Sequence, residues 1–176
     1  NQYAPRYAEN LRALGIPAWA ASTGGFFSAS EIATILSFLR VIANPNQDIP
    51  LLAVLMSPVY GFTADDMARL RADCGGETLY VSLLRAEDAR CMRVREEIAR
   101  YRILASTMPS DAFITMLCDE TGFENIVRSM PGGEGRLANL RLLEQYAAEY
   151  EAYGYNGISG FVRFIDRLKK NRSDME

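Results

Sequence analysis

The side chains able to do chemistry in this sequence are cations and glycine turns rather than nucleophiles. Toward the end of the chain, Arg163, Arg167 and Lys170 fall at i, i+4 and i+7, so a helix there gathers three cations on one face, opposite a stripe of Phe161, Phe164 and Leu168. Lys169 and Arg172 flank that face and make it the densest positive patch in the sequence. Cations one helical turn apart suit contact with a nucleic-acid backbone without regard to base sequence, although a charged stripe opposite an apolar one also serves as plain solvated surface. A second place is Gly132-Gly-Glu-Gly-Arg136, where a glycine turn opening a helix offers backbone N–H groups and one guanidinium to a phosphate. Glu134 opposes an anion there, and Arg136 has a structural alternative, either capping neighbouring carbonyls or pairing with an acid across a helix seam.

Much other chemistry is excluded. With no histidine in 176 residues, Ser-His-Asp and Cys-His nucleophiles and His-ligated metal sites are absent. The only lysines, Lys169 and Lys170, do not follow a G-x-x-x-x-G-K-[ST] loop, so ATP is not cradled here in that way. Cys74, Cys91 and Cys118 are odd in number and form no C-x-x-C pair, as expected of reduced thiols in the cytoplasm. The net charge of -3 rules out a uniformly basic binder and confines any DNA contact to a local patch. Of the 19 basic residues nearly all are arginine, which suits phosphate pairing and buried ion pairs but equally reflects a GC-rich genome. No signal peptide is evident, and no apolar run approaches the ~20 residues that span a bilayer. The first residue is Asn1, inside what reads as a helix, as expected of a piece of something longer.

The elements that would position these residues are helical. Ser28 stands three residues before Glu31, the spacing of a capping box, and Ile32, Ile35, Leu36, Leu39 and Ile42 follow at helical period. Phe38 and Val41 widen the stripe until the helix must be central, and Asn44-Pro45 ends it. A short helix over 48–56 starts from a capping Asp48, and Thr63-Ala-Asp-Asp sets acids on the first turn of the next. Helices are further expected over 3–14, 79–85, 93–107, 112–120 capped by Ser110-Asp111, 123–130, 134–153 and from 161 onward, with a polar, frayed tail over 171–176. A short strand over 18–21 is the one exception. With 49% hydrophobic residues the chain can bury one substantial core. The expectation is an all-α, irregular bundle of about eight to ten helices with at most one strand near the N-terminus.

The order of motifs also carries a resemblance. G-I-P at 15–17, G-G-F-F from Gly24, Glu31-Ile32, L-R-V-I-A-N-P from Leu39, Asp48 and S-P-x-x-G from Ser57 together resemble superfamily 1 UvrD/Rep-like DNA helicases. The matching span is where their second motor subdomain, 2A, gives rise to its insertion, 2B. P-G-G-E-G-R-L-A-N-L from Pro131, a Tyr- and Glu-rich helix, and G-F-V-R-F-I-D-R-L from Gly160 are similar to the AddA component of bacterial AddAB helicase-nucleases, and the similarity runs over nearly the whole chain.

The resemblance implies a lead-in from 2A over 1–40 and a 2B-like helical insertion over 41–176, folded as one body. It implies a non-catalytic accessory subdomain that contacts or guides duplex DNA, in an ATP-dependent helicase/nuclease subunit of double-strand break repair and recombination. ATP and magnesium would bind outside this segment, which itself would hold no cofactor. Its partners would be duplex DNA, the remaining helicase subdomains and a partner nuclease subunit, in the bacterial cytoplasm and away from membranes. The competing reading is a module that docks the nuclease subunit or other domains through apolar surface. The resemblance also marks the turn from Ser57 to Thr63, because the family has Pro, two residues, then Arg-Gly-Ile-Gly, with backbone N–H groups meeting a duplex phosphate. Pro58 and Gly61 agree, whereas Tyr60 stands for the arginine and Thr63 for the second glycine. Gly61 and Thr63 are thus candidate nucleic-acid residues, although Asp65 and Asp66 would repel phosphate and a plain tight turn is the competing account.

Overall fold

A helix with apolar side chains on most of its circumference has to be surrounded by other elements. In the computed structural model, which describes residues 25–173 and side chains as far as residue 170, that helix is α1 (Ser30–Ala43). Ile32, Ile35 and Leu39 are wholly inaccessible to solvent, and Asn44 leaves the helical region just before Pro45, as the sequence requires. Eight helices follow: α2 (Asp48–Leu55), α3 (Ala64–Cys74), α4 (Leu79–Arg85), α5 (Ala89–Ala105), α6 (Ser110–Glu120), α7 (Phe123–Ser129), α8 (Gly133–Ala152) and α9 (Ile158–Ser173). A single 3₁₀ turn, Phe26–Ser28, precedes α1. Among the described residues there is no strand, and the all-α bundle read from the sequence is the observed architecture. The helix expected over 3–14, the strand over 18–21 and the end of the tail lie outside the described residues.

Helix α1 is the hub, packed on α2, α5, α8 and α9. On one side α2, α3, α4 and α5 pack in succession; on the other, α6 and α7 lie along α8. Helix α5 meets α6 and so joins the two sides, while α9 returns across α1 to touch α8. One apolar core runs through both sides, from Phe26 and Leu39 to Phe113, Phe123 and Phe161.

Several starts and caps differ from the sequence expectation, for one shared reason. The Ser28–Glu31 capping box does not form: Ser28 belongs to the 3₁₀ turn, Ala29 occupies the cap position without a side-chain bond, and Glu31 is drawn inward. Asp48 lies inside α2 rather than capping it, and its Oδ1 accepts from the Leu79 N–H at 2.8 Å, so it serves the start of α4. Ser110 does not cap α6 with its own side chain; its N–H and hydroxyl both donate to Glu151 Oε1, at 2.8 and 2.6 Å. Each polar side chain has taken a tertiary partner in place of the local backbone group it could have served. Helix α5 starts at Ala89, ahead of the expected 93, because Asp88 accepts from both Arg90 and Cys91 N–H groups. Helix α9 starts at Ile158 rather than 161 and continues to Ser173.

Candidate nucleic-acid interface

On α9 the buried face is Ile158, Phe161, Val162 and Ile165, with Phe164 and Leu168 half-buried at its edge rather than at its centre. Tyr150 of α8 packs against Phe161 and Phe164, with ring centroids 5.7 and 5.5 Å apart, and this fixes the rotation of α9 about its axis. Arg163, Arg167, Lys169 and Lys170 consequently face solvent. Among the described residues none of the four forms an ion pair. Asp166, which falls between them, is held by Arg40 Nη2 of α1 at 2.5 Å, so its charge is answered from another helix.

The glycine turn ahead of Arg136 is built for a tight corner between α7 and α8. Gly132 takes a left-handed φ of 72°, and a Cβ on Gly133 would lie 2.3 Å from the Arg128 carbonyl oxygen. Arg136 itself takes both structural roles open to it. Its Nε donates to the Pro131 carbonyl at 3.0 Å, and its Nη1 donates to Glu31 Oε2 at 2.5 Å and to Ser30 Oγ at 2.7 Å. Glu31 is 2% exposed and also accepts from Asn139 Nδ2 at 2.7 Å, so the pair ties α8 to the start of α1.

The turn through Gly61 is likewise closed on itself. The N–H groups of Tyr60 and Gly61 donate to the Ser57 carbonyl, that of Phe62 to the Leu55 carbonyl, and that of Thr63 to Asp66 Oδ2. Thr63 Oγ1 accepts in return from the Asp66 N–H at 3.2 Å, a reciprocal capping box that starts α3. The bonds from Thr63 hold the Asp66 carboxyl below its usual range, with Arg90 and Arg69 adding to the effect. Tyr60, standing where the resemblance has arginine, donates its hydroxyl to Glu97 at 2.8 Å; burial chiefly, and that carboxylate, push its ionisation upward.

A guanidinium does reach this turn, from a residue that sequence reasoning missed. Arg90 of α5 donates through Nη2 to the carbonyls of Tyr60 and Gly61, at 3.1 and 3.2 Å, and lies 4.1 Å above the Phe62 ring. Farther along α5, Arg95 donates to the Leu84 carbonyl at 2.8 Å and Arg102 to the Ile42 carbonyl at 2.9 Å, closing the C-terminal ends of α4 and α1. Local spacing carries no signal for these contacts, because their partners lie far away in sequence.

No nucleophile emerges from the thiols: Cys91 and Cys118 are buried, and burial pushes them up to about 11 and about 12. Among the described residues no cluster of three or more His, Cys, Asp or Glu is placed to hold a metal, and no helix is long and apolar enough to cross a membrane.

Comparison with known proteins agrees with the motif order. Residues 1–153 match the UvrD-like helicase C-terminal domain. The chain belongs to that family. It is 39% identical over 181 residues to the AddA-type ATP-dependent helicase/nuclease protein of Thermoanaerobacter sp. (strain X514), covering 99% of this chain and 15% of that protein. Similarity to the proteins of the same name from Acetivibrio thermocellus (37% identity; 98% of this chain, 14% of the relative) and Heliobacterium modesticaldum (39%; 96% and 13%) is of the same kind. This UvrD-like chain therefore spans about one seventh of the length of the relatives it matches.

Proposed function

We propose that this chain is a non-catalytic accessory subdomain of an ATP-dependent helicase/nuclease subunit of bacterial DNA break repair, and that the cationic face of α9 lies on duplex phosphates. The 2A lead-in over 1–40 and the 2B-like remainder are part of this reading, as are ATP and magnesium bound elsewhere in the longer protein and a partner nuclease subunit. The observation that carries it is the contrast among the cations. Arg136, Arg90, Arg95 and Arg102 donate to acceptors within the fold, whereas Arg163, Arg167 and Lys170 are exposed and outside any ion pair among the described residues. In a chain of net charge -3, that is the patch best able to neutralise phosphate. Arg136, Gly61 and Thr63 would contribute less, since their donors already have acceptors.

The test is the salt dependence of duplex binding. The chain should bind blunt duplex DNA with a dissociation constant of roughly 10⁻⁴ M, and changing Arg163, Arg167 and Lys170 together to glutamine should lower the slope of log affinity against log salt by close to one unit per lost contact. Unchanged affinity and slope in the folded triple variant would remove α9 from the interface. The apolar docking reading has its own observation: on α2, Ile49 is 83% exposed, with Leu52 and Met56 beside it at 39% and 44%. Salt-insensitive binding of a protein partner, lost on changing Ile49 to glutamate, would favour that reading instead.

A further inference from the structure

Between the C-terminal end of α1 and the first half of α9 lies a cleft of about 280 Å³, lined among others by Arg40, Asn44, Gln47, Ser159, Arg163 and Asp166. Unengaged donors dominate it. Among the described residues the Arg163 guanidinium and the Ser159 hydroxyl make no hydrogen bond or ion pair within the fold. Asn44 uses only its side-chain oxygen, which accepts from the Asn46 N–H at 3.1 Å, and Gln47 Nε2 makes one long bond, 3.4 Å, to the Asn44 carbonyl. The one carboxylate, Asp166, is held by Arg40 at 2.5 Å. Two guanidiniums against one carboxylate leave the lining with a net positive charge in a chain that is net negative.

The end of α1 would ordinarily oppose an anion, because a helix C-terminus carries a partial negative charge. Here its carbonyls are covered. Arg102 Nη1 donates to the carbonyls of Ile42 and Ala43, at 2.9 and 3.5 Å, and the Asn44 N–H donates to the Arg40 carbonyl at 2.8 Å. On the other wall, the first turn of α9 carries no acidic side chain.

We propose that this cleft seats one phosphate group, held by Arg163 and Ser159 with the Asn44 and Gln47 amides at its rim, and that the group is a phosphodiester of the duplex strand running along α9. The second half of the proposal rests on the DNA-contact reading above. The spacing suits it: from Arg163 to Lys170 a helix rises ~10 Å, a length over which one strand of a duplex carries roughly three phosphates. The cleft takes the first, and Arg167 and Lys170 meet those that follow. A free phosphate ion shares the chemistry, and the two sources are separated by the test.

The 176-residue chain is titrated with inorganic phosphate at constant ionic strength, followed by NMR, and separately with a blunt DNA duplex. Phosphate should shift the Ser159 amide and Arg163 Nε resonances saturably, where chloride does not. Ser159→Ala should weaken duplex binding roughly threefold to tenfold with no change of salt slope, since a hydroxyl releases no counterion. Arg163→Gln should weaken it further and reduce the slope. Ser159 is exposed and alanine favours helix, so helical circular dichroism should be unchanged. If Arg167→Gln and Lys170→Gln weaken duplex binding but Ser159→Ala does not, and phosphate behaves as chloride, the cleft is overturned while the DNA reading stands. Saturable phosphate binding without any duplex binding would keep the anion seat and overturn the duplex as its occupant. Loss of both overturns both.

Discussion

Arg136 shows how a single residue changes meaning once its surroundings are known. Within a glycine-rich turn its guanidinium reads as a ligand for an anion, yet its acceptor is Glu31, 105 positions away. Glu31 is buried, and a carboxylate stripped of its counter-charge there has only Asn139 and Ser30 to satisfy it. Arg136→Ala should therefore destabilise the fold by about 3 kcal/mol, the lower part of the range for breaking a buried pair, since Arg136 is itself 31% exposed. Adding Glu31→Gln should recover part of that loss, because a neutral amide is easier to leave in place. Denaturant midpoints of the two variants check this, and a shift in Arg136→Ala smaller than ~0.5 kcal/mol, the size of an ordinary surface substitution, would contradict it.

At the scale of elements, the helices are joined by polar side chains that cross from one helix to the end of another. Asp48 serves the start of α4, Glu151 the start of α6, Arg95 the end of α4 and Arg102 the end of α1. These contacts select which ends meet, and the apolar stripe of α1 supplies the larger share of the stability. Leu39, wholly inaccessible on α1, should cost ~2–5 kcal/mol when cut to alanine, because the cavity it leaves is enclosed by packed helices. Arg69, on the exposed side of α3 with its side chain 72% accessible and only a 3.9 Å approach to Asp66, should cost less than ~0.5 kcal/mol. Equal thermal or denaturant midpoints for the two alanine variants would mean that α1 is not the centre of the bundle.

The molecule as a whole offers surfaces rather than a reaction centre. It has neither a phosphate-binding loop nor a histidine, so the purified chain mixed with ATP, magnesium and DNA should release no phosphate and cut no strand; turnover that follows the chain through purification would contradict this. The fold class, the hub helix α1, its stop at Asn44-Pro45 and the order of the helices were legible in the sequence, because apolar residues at helical period and residues that break a helix act through neighbours a few positions away. The three candidate places for a phosphate were legible too, as residue types in a pattern. What remained hidden was which of their donors were available. Glu31 takes Arg136, Asp66 closes the turn at Thr63, and Arg40 holds Asp166 so that the cations of α9 keep their charge. Glu31–Arg136 and Arg40–Asp166 join residues more than a hundred positions apart, and they form because packing around α1 brings their helices within reach. The stop and start of a helix are written locally, whereas the partner of a charge is chosen across space, by whichever opposite group the folded core sets beside it where water is excluded.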